Sequence, residues 1–161
     1  MNGADECRAL IAAYRAASYS VRLPGGRRVG LEVGAECPGE LNDLLLRTAH
    51  SAGGLITAWN PLSVQSARSA NRLRQRELLA ALHAARAGVL AGVGSGNDWR
   101  EPSLAALGVR VDLLDELARH FGQNAILSFR AGEPVRLRLY RDEWREALSG
   151  DDVDFAAPVA R

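Results

Sequence analysis

The chain has 161 residues and a formal net charge of +1, a length that suits one domain. Hydrophobic residues make up 47% of it, ordinary for a globular protein, and no apolar run reaches the roughly 18 residues that read as a membrane span. All 20 basic residues are arginine, which excludes a Schiff-base lysine, a phosphate-loop lysine and a lysine general base.

Near-neutral charge gives no reason to expect nucleic acid or a membrane as partner. Two cysteines, Cys7 and Cys37, are too few for a disulfide framework or a four-cysteine zinc site. His50, His83 and His120 are scattered and form no metal-binding spacing, so neither a metal nor a cofactor is expected. The start, Met1 to Glu6, lacks the basic and apolar segments of a signal peptide; a soluble, cytoplasmic protein is the expectation.

In chain order, Glu6 to Ala17 has Leu10, Ile11 and Tyr14 at helical spacing. Residues 18–34 alternate around Pro24-Gly25-Gly26 and predict a β-hairpin. Pro38 suits a first helical position, and Leu41, Leu44 and Leu45 make the face of a helix ending near Ser51-Ala52-Gly53-Gly54. A strand, Leu55–Trp59, leads into a long helix from about Val64 to Arg86 with Leu73, Leu78, Leu79 and Leu82 as its apolar face. Val89–Val93 predicts a strand, followed by a loop carrying Trp99 and Glu101, and Leu104–Val109 a further short strand. Asp112–Phe121 is a helix stopped by Gly122. Ala125–Phe129 is a strand, and Val135, Leu137 and Leu139 alternate with Arg136 and Arg138 as at a sheet edge. A short helix is expected around Asp142–Leu148.

This order predicts an α+β fold, a mixed α/β sandwich: a central mixed sheet with terminal hairpins and about four packed helices. Residues 1–149 are expected to form a single globular domain and 150–161 an acidic, mobile C-terminal tail.

The richest candidate site is the strand-to-helix turn Trp59-Asn60-Pro61-Leu62-Ser63, with Asn71 eight residues further on. Strand ends of α/β sheets are where ligands bind. Ser63 is placed to cap the long helix, and its exposed N–H groups would favour an anion or polar ligand. Pro61 holds Asn60 out of the right-handed helical region. The plain alternative is that Ser63 caps, Asn60 braces the turn and Trp59 is core. Gln123 and Asn124 bring two further amides to the next strand entry, where amides suit a base edge, sugar or peptide group or an internal hydrogen-bond network. Glycines 92, 94 and 96 precede no helix, so they do not make a phosphate loop. Glu101, beside Trp99, is the first choice for a general acid or base because partial desolvation would raise its pKa. Arg68, Arg72 and Arg76, with Arg74, make a helix stripe that fits phosphate, an acidic partner or plain solvation. Cys37 lies at an expected helix start, where the dipole lowers a thiol pKa, and His120 suits an end-of-helix cation.

The strings Ile56-Thr57-Ala58-Trp59-Asn60-Pro61 and Phe121-Gly122-Gln123-Asn124-Ala125, with Ser63, Asn71, Leu78 and the Trp99/Glu101/Ser103 region, resemble a bacterial family of uncharacterised proteins, domain of unknown function 3293. The resemblance spans roughly residues 10–130. It implies a small soluble bacterial protein and supplies no reaction, cofactor or catalytic residue.

Three functions are open at this point. The leading one is binding of a small polar or nucleotide-like ligand at strand ends through Trp59, Asn60, Ser63, Asn71, Gln123, Asn124 and Glu101. The second is a small enzyme with Glu101 or His120 as acid/base. The third is a protein-interaction or regulatory domain using the arginine-rich helix face. The oligomeric state is left open. The leading reading makes a geometric demand: the two amide-bearing segments must lie on neighbouring strand ends.

Overall fold

A computed structural model describes residues 3–159; Met1, Asn2, Ala160 and Arg161, which end the expected polar start and tail, lie outside the described residues. The elements are α1 (Gly3–Ala16), β1 (Ser18–Arg22), β2 (Arg28–Leu31), α2 (Gly39–Leu46), β3 (Ala52–Ile56), α3 (Arg68–Ala84), β4 (Gly88–Ser95), β5 (Arg100–Leu107), α4 (Val111–His120), β6 (Ala125–Arg130), β7 (Arg136–Leu139) and β8 (Val153–Phe155). The eight strands form one sheet in the order β2-β1-β4-β5-β3-β6-β7-β8. Every neighbouring pair is antiparallel except β7 and β8. The fold is α+β with a mixed sheet, as the sequence predicts.

Side chains alternate between the sheet's two faces, and each face is covered. Val21, Leu55, Leu127, Leu137 and Leu139 pack with Ile11 of α1 and with Leu41 and Leu45 of α2. Ile56, Ala106 and Ile126 pack on the other face with Leu78 and Leu82 of α3 and with Leu114 and Ala118 of α4. Leu55 and Ile56, adjacent in sequence, therefore serve opposite cores.

Several boundaries differ from the sequence expectation. The third strand is Ala52–Ile56 rather than Leu55–Trp59. Gly53 and Gly54 are strand residues, not a turn: a Cβ at Gly53 would sit 2.2 Å from the Ala106 carbonyl oxygen, and one at Gly54 2.9 Å from that of Leu127. These glycines permit close approach of neighbouring backbone. The long helix begins at Arg68 rather than Val64, and Leu73, expected on its apolar face, is 52% exposed. Residues 100–103, expected in a loop, belong to β5. The short helix around Asp142–Leu148 is a single 3-10 turn, Asp142–Trp144.

β7 is not a sheet edge. Val153–Phe155, inside the expected tail, pairs with it as β8. The arginines of β7 have specific partners. Arg138 grips the Asp115 carboxylate at 2.6 and 2.7 Å, Tyr140 donates to the same carboxylate at 3.0 Å, and Arg136 pairs with Asp154 at 3.2 Å. The Arg138–Asp115 pair is largely buried, with side chains 15% and 10% exposed. Removing one partner of such a pair strands a buried charge. Asp115→Ala is accordingly expected to lower stability by about 3–5 kcal/mol, read from the urea-unfolding midpoint.

Candidate functional site

The site forms where β3 leaves the sheet. Pairing of β3 with β5 ends at Ile56 opposite Leu104. Two residues earlier on β5 stands Pro102, which has no N–H to donate. Its carbonyl accepts from Thr57 Oγ1 at 2.8 Å and from Gln75 Nε2 of α3 at 3.2 Å. In an antiparallel strand a residue's N–H and C=O face the same neighbour, so the missing donor falls on the side that β3 has vacated. Thr57 and Gln75 replace the lost ladder with side chains, and the chain from residue 57 turns away to open a space beside β5.

Asn60 organises that space. Its Nδ2 donates to Glu101 Oε1 at 2.8 Å, and its Oδ1 accepts from Asn71 Nδ2 at 2.8 Å and from the Ser66 backbone N–H at 3.0 Å. Its backbone N–H donates to Asn71 Oδ1 at 3.0 Å. Arg74 also donates to Asn71 Oδ1, at 2.6 Å, and to the Ala58 carbonyl at 3.2 Å. Asn71 is 2% exposed and its amide is used at both ends, which explains an asparagine inside a helix, where it is otherwise unfavourable.

The turn itself is strained. Asn60, Leu62 and Ser63 have φ of 46°, 55° and 59°; such left-handed conformations of residues other than glycine cost about 1–3 kcal/mol each. Neighbouring elements hold them. The Leu62 N–H donates to the Gly122 carbonyl at 2.7 Å, and Gln123 Nε2 to that of Trp59 at 3.0 Å. Asn124 Nδ2 donates to Ser63 Oγ at 3.0 Å, and Ser63 Oγ also shares a hydrogen bond of 2.8 Å with the Tyr14 hydroxyl of α1. Arg141 Nη1 donates to Asn124 Oδ1 at 3.2 Å.

These elements enclose a cavity of about 900 Å³. Its walls include Tyr14, Tyr19, Trp59, Trp99, Arg68 and Glu101. Tyr19, Gly94 and Glu101 occupy one cross-strand row on β1, β4 and β5. A Cβ at Gly94 would lie 3.3 Å from the Tyr19 ring and 3.4 Å from Trp99, so glycine leaves room for both aromatics. Burial pushes the Glu101 carboxyl above its ordinary pKa, while the hydrogen bond from Asn60 opposes the rise. Burial likewise raises the Tyr14 and Tyr19 phenols, with the Glu101 charge adding to both. Trp59 Nε1 is buried and has no hydrogen-bond partner among the described residues. No group of three His, Cys, Asp or Glu among the described residues is placed to hold a metal ion, and none of the described helices is long and apolar enough to cross a membrane.

Residues 56–126 match the model of a family described as Protein of unknown function (DUF3293). The expected resemblance is thus borne out over that stretch, which is less than half of the chain. Neither the curated proteins nor the solved structures contain a match. The stretch shared with DUF3293 contains Trp59, Asn60, Ser63, Asn71, Glu101, Gln123 and Asn124; Tyr14 and Tyr19 come from outside it.

The two amide segments therefore meet in space, with divided roles. Asn71 and Asn124, 2% and 3% exposed, are consumed by internal hydrogen bonds; Asn71 still borders the cavity, whereas Asn124 stands behind its wall as a brace. Trp59, Asn60, Ser63, Glu101 and Gln123 line the cavity. Ser63 does not cap α3. The helix starts five residues later, with Ala67 at the cap position and no side-chain cap, because the left-handed turn carries the chain away from the helix axis before α3 begins. Asn60 avoids the right-handed helical region, as Pro61 requires, by adopting the left-handed one. His120 lies exposed at the end of α4, edge-on to Phe121, and takes no part in the cavity wall. The Cys37 thiol is pushed up to about 11 by burial, the opposite of the expected dipole effect; it precedes α2 and packs against the core instead.

Two contributors escape sequence reasoning. Tyr14 reads as one apolar position of a helix, and only its polar tip, which needs a partner when buried, hints at more. Arg74 reads as part of a solvated stripe.

Two measurements probe this arrangement. Asn71→Ala leaves the Asn60 N–H and Oδ1 short of partners and is expected to cost about 1–3 kcal/mol in urea unfolding. Glu101 has a folded-state pKa above its unfolded value, so the fold is stabilised relative to the unfolded chain below both values and loses that stability as pH rises through the folded one. Glu101→Gln keeps an acceptor for Asn60 and removes the charge. Its melting temperature is expected to exceed that of the parent near pH 7 and to match it below about pH 4; the same difference at both pH values would show that no burial penalty exists.

Proposed function

We infer that the protein binds a small polar or nucleotide-like ligand in the cavity beside β5. One observation carries the reading: α1, β1, the turn after β3, β5 and the α4–β6 turn converge on a single concavity in which aromatic walls surround a carboxylate oriented by an amide. Its volume of about 900 Å³ falls within the roughly 300–1,000 Å³ range of small-molecule sites, which pair apolar and aromatic walls with a few placed polar groups. Tyr14, Tyr19, Trp59 and Trp99 offer ring surfaces for stacking. Glu101 accepts from Asn60 through one oxygen only, which leaves acceptor capacity for a ligand N–H or O–H. The strained turn at Asn60, Leu62 and Ser63 supports the reading further, since such strain clusters at ligand sites.

A second reading is favoured by one specific feature. The raised pKa of Glu101, in a cleft and next to a fixed donor, suits a general acid or base. The chain would then be a small enzyme acting on the same ligand, with Glu101 and not His120 as the proton-transfer group.

Thermal-shift screening against nucleosides, nucleotides and small polar metabolites tests the binding reading. Compounds that raise the melting temperature are expected to quench tryptophan fluorescence from Trp59 and Trp99, and to lose about tenfold in affinity on Glu101→Ala, the loss of one charge-assisted hydrogen bond. Stabilising compounds whose affinity is untouched by Glu101→Ala and Trp99→Ala would place binding elsewhere and end this reading. For the enzyme reading, turnover of such a compound must disappear in Glu101→Gln.

A further inference from the structure

We propose that Arg22, Arg28 and Arg100 form a site for the phosphate group of a small ligand, a diphosphate or phosphate monoester, on the sheet face opposite α1. The inference is independent of what fills the cavity beside Glu101.

Side-chain alternation places all three arginines on that face. Val21 and Leu31 point into the core beneath α1 and α2, so Arg22 and Arg28, at odd offsets from them, point the other way. Ala105 and Leu107 of β5 join the same α1-side core, and Arg100 is out of phase with both. β1, β2, β4 and β5 are adjacent in the sheet, and the three arginines rim a concavity of about 160 Å³ floored by Ser20, Gly92 and Val93. One water molecule needs roughly 10–15 Å³ of such space, so there is room for a phosphate or diphosphate.

Among the described residues several arginines are engaged, for example Arg15 with Asp152, Arg27 with Glu40, Arg110 with Asp112, Arg138 with Asp115 and Arg141 with Glu143. Arg22, Arg28 and Arg100 have no ion pair and no side-chain hydrogen bond among those residues, and neither have Arg47, Arg68, Arg72, Arg76 and Arg86; what sets these three apart is that they rim one concavity, which no carboxylate lines. Arg22 and Arg28 also stand directly opposite each other in the β1–β2 register. Like charges so placed are destabilising, and a bound anion would relieve them. Guanidinium groups form paired N–H donors that match phosphate oxygens, and the Ser20 hydroxyl adds a neutral donor at the floor. The concavity has no aromatic side chain, so it lacks the stacking platform that single-stranded nucleic acid requires. That selects a small phosphate over a polynucleotide. Arg100 and Pro102 line both this concavity and the large cavity, so the two sites adjoin around the free edge of β5.

Titration of the whole chain with inorganic pyrophosphate, followed by calorimetry and by NMR of the arginine side-chain Nε–H groups, tests the proposal. The expected result is saturable binding that weakens with added salt and moves the Arg22, Arg28 and Arg100 signals. Affinity is expected to fall about tenfold for each arginine removed, and therefore sharply in Arg22→Gln/Arg28→Gln, while Arg72→Gln/Arg76→Gln on α3 binds as the parent does. Because the first pair removes an opposed like-charge contact, that variant should melt no lower than the parent. The wild-type NMR signals decide the matter even if it does not fold. No saturation, movement of other arginine signals only, unchanged affinity in Arg22→Gln/Arg28→Gln, or loss of affinity in Arg72→Gln/Arg76→Gln overturns the proposal. Binding of a short oligouridylate without binding of pyrophosphate also overturns it, in favour of a polynucleotide.

Discussion

The reciprocal amide contact between Asn60 and Asn71 is the constraint on which the site depends. Asn60 gives its backbone N–H to the Asn71 side-chain Oδ1 and takes the Asn71 Nδ2 amide on its own Oδ1. Each asparagine thus satisfies the other, and the loop after β3 is fixed to the first turn of α3. With one oxygen committed inward, the remaining Asn60 donor has one direction left, and Glu101 receives it. A carboxylate on a strand is thereby oriented by an amide on a loop, which is in turn oriented by an amide on a helix.

The interruption of the sheet at Pro102 makes this possible. While β3 and β5 pair, no space exists between them; Gly53 packs so closely that a Cβ would overlap the Ala106 backbone. Once Pro102 withdraws a donor, the chain is released, and the energy of three left-handed residues is balanced by bonds from α1 and from the α4–β6 turn. Burial of Glu101 adds a cost of the same kind, because a partly desolvated carboxylate disfavours its charged form. His50, Ser51 and Arg86 are left-handed as well, but only at the turn after β3 does such strain coincide with a desolvated carboxylate, and functional sites commonly differ from scaffold in that way.

Much of the scaffold is legible in the sequence because it follows from periodicity. The helix at Gly3–Ala16, the hairpin of β1 and β2, and the α4–β6 unit all come from spacing of Leu, Ile and Val around glycine stops. The misread elements each involve a residue whose local meaning is reversed by its neighbours in space. Gly53 and Gly54 look like punctuation and are the tightest part of the sheet. Pro102 looks like a strand breaker and sits within a strand whose partner has departed. Val153–Phe155 is too short to signal a strand until β7 offers it an edge. At the site, polar residues at strand ends are visible from composition, and their meeting is not, because Ser63 to Asn124, Tyr14 to Ser63 and Asn60 to Glu101 are contacts across long stretches of chain. The same limit hid the division between amides that face the cavity and amides that brace it.

Asn60 thus holds a half-buried carboxylate on the cavity wall. Carbon-13 NMR titration of the Glu101 side-chain carboxyl, in the parent and in Asn60→Ala, tests it most directly. The expected result is a parent pKa above the ordinary glutamate value of about 4.3 and a further rise in Asn60→Ala, because burial raises the group and the Asn60 hydrogen bond holds it down. A parent value at or below the ordinary one, or a value that Asn60→Ala leaves unchanged or lowers, would contradict it.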